Sequence, residues 1–125
     1  MTENEIATKI IGCSLEVHRL LGPGLLESAY EAALSFELRR NHLDIFVQKP
    51  MPLIYKGITL DVGYRIDILI ENKVVVELKS VERLAPVHFL QTLTYLKLSD
   101  LRLGLLINFN NTLLRNGIHR IVNNL

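Results

Sequence analysis

The sequence predicts an α/β (α+β) fold in which helices flank a central mixed β-sheet. Apolar residues recur at three- and four-residue intervals over residues 4–21 and 25–40, a pattern typical of amphipathic helices. Short β-branched or alternating runs separated by Pro and Gly follow, and then come one more helical segment and two further strands. The predicted order of elements is therefore α-α-β-β-β-β-α-β-β, in one domain that covers residues 1–125.

The first two helices are predicted from the helical period and from the turn between them. The buried stripe of the first helix consists of Ile6, Ile10, Cys13 or Ser14, Val17, and Leu20 or Leu21. This helix should end at Gly22, which can adopt a positive φ angle, because Pro23 cannot continue a helix. The second helix is predicted from about Leu25 to Arg40, where basic residues suit the negative end of the helix dipole.

Five short runs can supply the strands between the second and third helices. They are DIFVQ (44–48), MPLIY (51–55), ITLDV (58–62), YRIDILI (64–70) and KVVVELK (73–79). The helical period returns from Pro86 to Leu98 and places Gln91 and Tyr95 on one stripe. RLGLLINF (102–109) is predicted to be a buried strand, and IHRIV (118–122) is predicted to be a last strand at the edge of the sheet.

Composition and charge exclude several classes of protein. With 49% hydrophobic and 22% charged residues, the chain is not intrinsically disordered. The net charge of +1 creates no global field that would attract a polyanion, and no apolar run is long enough to cross a membrane. The single cysteine, Cys13, cannot form an intramolecular disulfide, and no signal-peptide pattern is present. We therefore expect a cytoplasmic protein with no membrane partner.

The strand KVVVELKS, residues 73–80, carries charges where burial is expected. Because side chains alternate across a strand, Val75, Glu77 and Lys79 project from one face. Asp67 lies in the preceding strand, ten positions before Glu77. If the two strands form a hairpin, its loop length decides whether the two carboxylates share a face.

Two loop lengths are open for this hairpin. A three-residue loop of Glu71, Asn72 and Lys73 pairs Ile70 with Val74 and sets Asp67 opposite Glu77. In that loop, Asn72 or Lys73 would take the left-handed conformation. A two-residue loop instead pairs Asp67 with Val76 and sends the two carboxylates to opposite faces.

Two neighbouring buried carboxylates are unfavourable unless a cation lies between them. Magnesium in proteins usually binds one or two carboxylates together with waters and phosphate oxygens of the substrate. A lysine beside such an ion can orient a water molecule or stabilise charge that develops on phosphorus. The combination of Asp67, Glu77 and Lys79 therefore indicates metal-assisted hydrolysis of phosphodiester bonds.

The pattern of Asp67 followed by Glu77-Leu78-Lys79 resembles the signature of the PD-(D/E)XK nuclease superfamily. The superfamily core has the order α-β-β-β-α-β, which the chain can supply from residue 25 to about residue 109. The segment HFLQTLTYL adds Gln91 and Tyr95, which resemble the Q-x-x-x-Y element of RecB-like members. This resemblance implies that Gln91 and Tyr95 line the site and position the substrate or the lysine.

The segment GPGLLESAYEAAL narrows the resemblance further. It contains Gly24, Glu27 and Tyr30 in the pattern G-x-x-E-x-x-Y, and LINF follows at residues 106–109. Together these resemble the small bacterial and archaeal GxxExxY protein family, which is placed in the same superfamily. The resemblance covers nearly the whole chain.

The resemblance implies a role for each acidic and basic residue of these motifs. Asp67 and Glu77 would be ligands of Mg²⁺ or Mn²⁺, and Glu27 would help to hold the metal or its water. Lys79 would orient the nucleophilic water or stabilise the transition state. The expected partner is nucleic acid, with DNA favoured, and a homodimer would place two sites along a duplex.

The same residues are also compatible with purely structural roles. Glu77 and Lys79 can form a solvated pair on an open sheet face, and Asp67 can pair with Arg65 or Lys79 as a surface ion pair worth about 0–1 kcal/mol. Tyr30 is expected to be a packing residue whose hydroxyl reaches a polar partner. The alternative to a nuclease is a catalytically silent module that retains the fold and binds nucleic acid or a protein partner.

Overall fold

The structure, a computed structural model, describes residues 1–125 and confirms the α+β class. The helices are α1 (Glu3–Leu21), α2 (Glu27–Arg40) and α3 (Pro86–Ser99). The strands are β1 (Ile45–Pro50), β2 (Leu53–Tyr55), β3 (Ile58–Leu60), β4 (Arg65–Ile70), β5 (Val74–Lys79), β6 (Leu103–Asn108) and β7 (Ile118–Val122). A short 3-10 helix, Leu114–Gly117, precedes β7. Five strands therefore precede α3, one more than in the predicted order.

The central sheet has five strands in the order β1-β4-β5-β6-β7. Neighbouring strands are antiparallel except β5 and β6, which are parallel because α3 crosses between them. Strands β2 and β3 form a separate two-stranded hairpin and do not join this sheet. With the hairpin set aside, α2-β1-β4-β5-α3-β6 reproduces the α-β-β-β-α-β core that the resemblance implies.

The first helix begins and ends where local interactions predict. Thr2 and Glu5 form a reciprocal capping box, in which each side chain accepts a hydrogen bond from the backbone N–H of the other. Gly22 ends the helix with a φ of 67°, as predicted. The predicted stripe was wrong at its C-terminal end, where Leu20 and Leu21 are exposed. None of the helices combines the length and apolar character that a bilayer crossing requires.

Helices pack on both faces of the sheet. The larger core joins α1 and α2 to one face, which β5 lines with Val74, Val76 and Leu78. The smaller core joins α3 to the other face, where Val75 contacts a cluster that includes Tyr95. This alternation places Glu77 and Lys79 on the face that α3 covers.

Gly104 in β6 allows α3 to approach the sheet closely. A Cβ atom at this position would lie 2.9 Å from Cγ2 of Thr92, which is fully buried and held by a hydrogen bond from its hydroxyl to the carbonyl of His88. We expect Gly104→Ala to lower the free energy of unfolding by about 1–3 kcal/mol, because overpacking forces the helix outward. Urea unfolding followed by circular dichroism measures the change.

The matched control for this substitution is Gly12→Ala. Gly12 lies in the exposed face of α1, and a Cβ atom there would meet nothing within 4 Å. Alanine should stabilise the protein by about 0.5–1 kcal/mol there, because it restricts the unfolded chain and favours the helix. A Gly104→Ala protein as stable as the wild type would contradict close packing of α3 on β6.

Candidate active site

The β4–β5 hairpin has the three-residue loop and therefore the register that brings the two carboxylates together. Ile70 pairs with Val74, as that loop length requires. The left-handed residues are Glu71 and Asn72, each with a φ of 53°. Of the two residues that the sequence offered for the left-handed conformation, Asn72 adopts it, and Glu71, which was not predicted, adopts it as well. The turn closes at Lys73, whose N–H donates to the carbonyl of Ile70.

Beyond Ile68 and Val76 the backbone ladder between β4 and β5 stops, and the two carboxylates take its place. Oδ2 of Asp67 accepts a hydrogen bond from the N–H of Leu78 at 2.8 Å. Oε1 of Glu77 accepts one from the N–H of Asp67 at 3.4 Å. Each side chain thus satisfies a backbone donor that the opening of the sheet leaves without a partner.

Glu77 is a buried acidic residue. Its side chain is 3% exposed, which excludes the solvated pair on an open face. Burial and the neighbouring charge of Asp67 raise the pKa of Glu77 to about 9. The carboxyl pair of Asp67 and Glu77 therefore keeps a proton at neutral pH unless a cation compensates its charge.

Lys79 lies two residues along the same face and is half-buried. The charge of the Lys79 ammonium lowers the pKa of Glu77 and so counteracts part of the effect of burial and of the Asp67 charge. Lys79 does not form an ion pair with either acid. The one ion pair in the structure joins Arg19 and Glu16. The alternative of a surface ion pair between Asp67 and Lys79 or Arg65 is therefore wrong.

Gln48 and Glu31 belong to this site and were not predicted. Gln48 lies between the two residues of β1 that pair with β4 on either side of Asp67, and it has a φ of 54°. Its amide donates to Oε2 of Glu31 at 2.6 Å and to Oδ1 of Asp67 at 3.2 Å. Burial raises the pKa of Glu31, and the charges of Asp67 and Glu27 add to this effect.

Glu27 lies at the end of β5 and apart from the carboxyl pair. It is the first residue of α2 and is exposed, and its Oε1 accepts a hydrogen bond from the N–H of Ser80 at 3.4 Å. The Ser80 hydroxyl donates to the carbonyl of Leu25. Leu25 lies outside the helix, and α2 begins at Glu27, two residues later than the predicted start at about Leu25.

Tyr30 is a packing residue, as predicted, and it fixes the loop before α2. Its side chain is fully buried and stacks on Phe109 with a centroid distance of 4.6 Å. The hydroxyl donates to the carbonyl of Gly22 and accepts from the N–H of Leu25 at 3.1 Å. Tyr30 thereby positions Glu27, one turn earlier on α2.

Gln91 and Tyr95 share one face of α3, as predicted. Nε2 of Gln91 donates to the Tyr95 hydroxyl at 3.2 Å. Tyr95 is buried against the sheet in the same cluster as Val75. Burial raises the pKa of Tyr95, and the charge of Glu77 adds to this effect. The tyrosine thus lies over the face that carries Glu77.

Asn108 fixes the chain that follows β5. Its side chain is 2% exposed at the end of β6. Oδ1 accepts from the N–H groups of Val81 and Asn110 at 3.1 and 3.3 Å, and Nδ2 donates to the carbonyl of Val81 at 2.9 Å. The N–H of Phe109 also donates to the carbonyl of Lys79 at 2.9 Å. The backbone at Lys79 is therefore held from the neighbouring strand.

The carboxyl pair has the chemistry of a divalent metal site. It offers hard oxygen ligands that are buried and uncompensated, and Mg²⁺ commonly takes two protein carboxylates with water and phosphate oxygens. No group of three or more His, Cys, Asp or Glu side chains in the structure converges closely enough to hold a metal ion. The structure thus brings Asp67 and Glu77 together and does not bring Glu27 to them.

Comparison with known proteins gives one match. The family model of the PD-(D/E)XK nuclease superfamily matches residues 4–121. Searches of curated proteins and of solved structures found no significant match. The matched segment spans every helix and strand except the first residue of α1 and the last residue of β7, and it includes the carboxyl pair. The chain therefore belongs to the PD-(D/E)XK nuclease superfamily.

Proposed function

We propose that this nuclease-superfamily chain hydrolyses phosphodiester bonds of DNA with the help of a divalent metal ion. The observation that carries the proposal is the β4–β5 register, which sets Asp67 opposite Glu77 and leaves Lys79 on the same face. Structural ion pairing does not account for these charges, because none of the three residues takes part in an ion pair.

Asp67 and Glu77 would hold the metal ion, either Mg²⁺ or Mn²⁺. When bound, the ion would neutralise phosphate charge and lower the pKa of a water molecule. The backbone hydrogen bonds to both carboxylates fix their positions before any ligand arrives. Gln48 supports Asp67 from the side and leaves fewer orientations for its carboxylate.

Lys79 would orient the attacking water and stabilise charge on the phosphate in the transition state. Gln91 and Tyr95 would line the site from α3, and their mutual hydrogen bond restricts both side chains. Glu27 would act at the end of β5, where it already contacts the backbone of Ser80. In this position its carboxylate would accept a hydrogen bond from a water molecule, including one bound to the metal ion.

We further infer membership of the GxxExxY family and kinship with the RecB-like members. Membership of the GxxExxY family is supported by the structure of the loop that contains the motif. Gly24 has a φ of 100°, and the Tyr30 hydroxyl makes two hydrogen bonds to the backbone of this loop, which precedes Glu27. Support for kinship with the RecB-like members comes from the contact between Gln91 and Tyr95.

The substrate, the assembly state and the location belong to the same proposal. The phosphate groups of DNA supply the hard oxygen ligands that a metal ion at this buried site would need. Because the net charge is only +1, binding of DNA would depend on local contacts. A homodimer would supply a larger contact surface than 125 residues offer. A cytoplasmic location agrees with a single buried cysteine, Cys13, that has no disulfide partner.

One observation favours a second candidate, a catalytically silent module that binds nucleic acid or a protein partner. The structure has no preformed group of three metal-ligand side chains, and Glu77 is closed off from solvent. A chain of this kind would bind single- or double-stranded nucleic acid in a salt-dependent manner and would not cut it in any metal.

Cleavage of labelled single- and double-stranded DNA and RNA by pure protein in Mg²⁺, Mn²⁺ and EDTA tests the proposal. We expect metal-dependent cutting that Lys79→Ala reduces by at least about 100-fold, because removal of one electrostatic contact to a transition state has effects of this size. Lys97→Ala, which removes an exposed lysine of α3, is the matched control and should cut like the wild type.

The assay separates the two candidates. Cutting that persists unchanged in Lys79→Ala would point to a contaminating nuclease and would remove the support for this site. Binding without cutting in every metal, by wild type and variant alike, would establish the silent module instead.

A further inference from the structure

A pocket of about 350 Å³ lies beside α3, and one of its lining residues is Tyr95, which packs on the face of the sheet that carries Glu77. Its lining residues are Tyr64, Val87, Leu90, Gln91, Thr94 and Tyr95. Three of them expose large apolar side chains: Tyr64 is 45% exposed, and Val87 and Leu90 are each 62% exposed. Packing of α3 against the sheet does not require these three side chains, because the core on this face is formed by other residues.

We propose that this pocket binds an unpaired nucleobase of the substrate, so that the chain acts on single-stranded or frayed nucleic acid. A nucleobase presents two apolar faces and an edge of hydrogen-bonding groups. The aromatic ring of Tyr64 and the aliphatic wall of Val87 and Leu90 match the faces. The Gln91 amide and the Thr94 hydroxyl match the edge.

The lining excludes a phosphate and disfavours a paired duplex. No Lys or Arg is among the six lining residues, whereas a groove that follows a nucleic-acid backbone is positively charged. Bases inside a duplex are stacked on each other and offer no face to a side chain. Within a nucleic acid, the group that fits this lining is a base that has left its stack or was never paired.

The pocket lies close to the residues that would bind the metal ion, Asp67 and Glu77. In this respect the inference rests on the proposed function. Tyr64 comes three residues before Asp67, so their Cα atoms are separated by at most about 10 Å of extended chain. The rings of Tyr64 and Tyr95 meet edge to face with a centroid distance of 6.2 Å. Tyr95 accepts the Gln91 hydrogen bond and lies over the face of Glu77. A base in the pocket would hold its own phosphates near the carboxyl pair.

Binding in EDTA tests the pocket without turnover. The probe is a short fluorescein-labelled single-stranded DNA, compared with the same sequence as a blunt duplex and with a strand of abasic sites. We expect Tyr64→Leu to weaken binding of the single strand by about tenfold, the effect of losing one base–aromatic stack, and Tyr64→Phe to bind like the wild type. Duplex and abasic strands should bind weakly to all three proteins.

Tyr55→Leu is the matched control, because Tyr55 is 57% exposed on the β2–β3 hairpin and does not line the pocket. It should leave affinity unchanged. The salt dependence of binding should have the same slope in Tyr64→Leu as in the wild type, because stacking releases no counterions. Photo-crosslinking of a strand that contains 5-iodouracil should place the adduct on Tyr64 or Tyr95.

Equal binding of single strands by Tyr64→Leu and wild type, or equal loss for the duplex and the single strand, would overturn the pocket inference. The inference would also be overturned if an apolar peptide displaced the probe and if the single strand and the abasic strand bound equally well. The two proposals can fail separately. If Tyr64→Leu cleaves and binds the single strand as well as the wild type does, only the pocket inference is refuted. If the wild type binds the single strand tightly through Tyr64 but does not cut it, only the nuclease activity is refuted.

Discussion

Glu77→Gln should make the metal-free protein more stable and sharply reduce the proposed cleavage. Burial and the charge of Asp67 raise the pKa of Glu77 to about 9 from the ordinary value of 4.5. Glutamine keeps the shape of the side chain and has no proton to gain, so folding at neutral pH no longer carries the cost of protonating this side chain. The same change replaces a charged carboxylate ligand of the proposed metal site by a neutral amide, so we expect cutting to fall by at least about 100-fold.

The sign of the pH dependence follows from the proton count. Between pH 4.5 and about 9 the unfolded chain has lost the Glu77 proton and the folded protein keeps it. The stability that this proton contributes is complete below the unfolded pKa and is lost as the pH rises towards the folded pKa. The stability of the variant relative to the wild type should therefore grow by about 3 kcal/mol between about pH 5 and about pH 7.

Urea unfolding in EDTA over this pH range measures the difference. Glu82→Gln provides the control, because Glu82 is exposed and its substitution should leave the pH profile of the wild type unchanged. If Glu77→Gln and wild type had parallel profiles, Glu77 would be ionised in the folded protein, and the buried carboxyl pair would not exist as described.

Asn108→Ala should destabilise the protein by about 3 kcal/mol. The substitution removes three hydrogen bonds and leaves the N–H and carbonyl of Val81 and the N–H of Asn110 without their partners. Buried or half-buried polar groups left in this way cost about 1–3 kcal/mol each, and water reaches some of them. We expect the segment after Lys79 to loosen as well.

Two measurements separate the structural effect of Asn108→Ala from its effect on the site. Chemical denaturation gives the loss of stability, and Asn116→Ala, which removes an exposed side chain, should change it by less than about 0.5 kcal/mol. Hydrogen exchange should show faster exchange at the Val81 amide. An Asn108→Ala protein with wild-type stability would contradict the role of this side chain in holding the chain after β5.

The sequence was sufficient to predict those parts of the site that depend on local spacing. The period of two places Glu77 and Lys79 on one face. The sequence left two loop lengths open for the hairpin, and the structure has the three-residue loop, which is the one that sets Asp67 opposite Glu77. Gln91 and Tyr95 are one helical turn apart, and their contact follows from the period of α3.

The residues that sequence reasoning missed depend on contacts between distant segments. Gln48 reaches Asp67 only because β1 pairs with β4 across an inserted hairpin, and no local pattern reports that pairing. Glu31 lies one turn after Glu27, and this spacing was the one signal that could have indicated it. Asn108 was visible only as part of a motif, because its partner Val81 lies 27 positions away, just past the end of another strand.

The β2–β3 hairpin has a consequence for how this nuclease fold can be altered. The chain leaves the sheet after β1 and returns at β4, and the N–H of Met51 donates to the carbonyl of Tyr64 at 2.8 Å across the base of the excursion. Because β1 and β4 are already neighbours, the loop between them can change length with little effect on their register. Residues 52–63 should therefore be exchangeable: grafting a longer or more basic hairpin there would extend the surface of the protein and leave Asp67 and Glu77 in place.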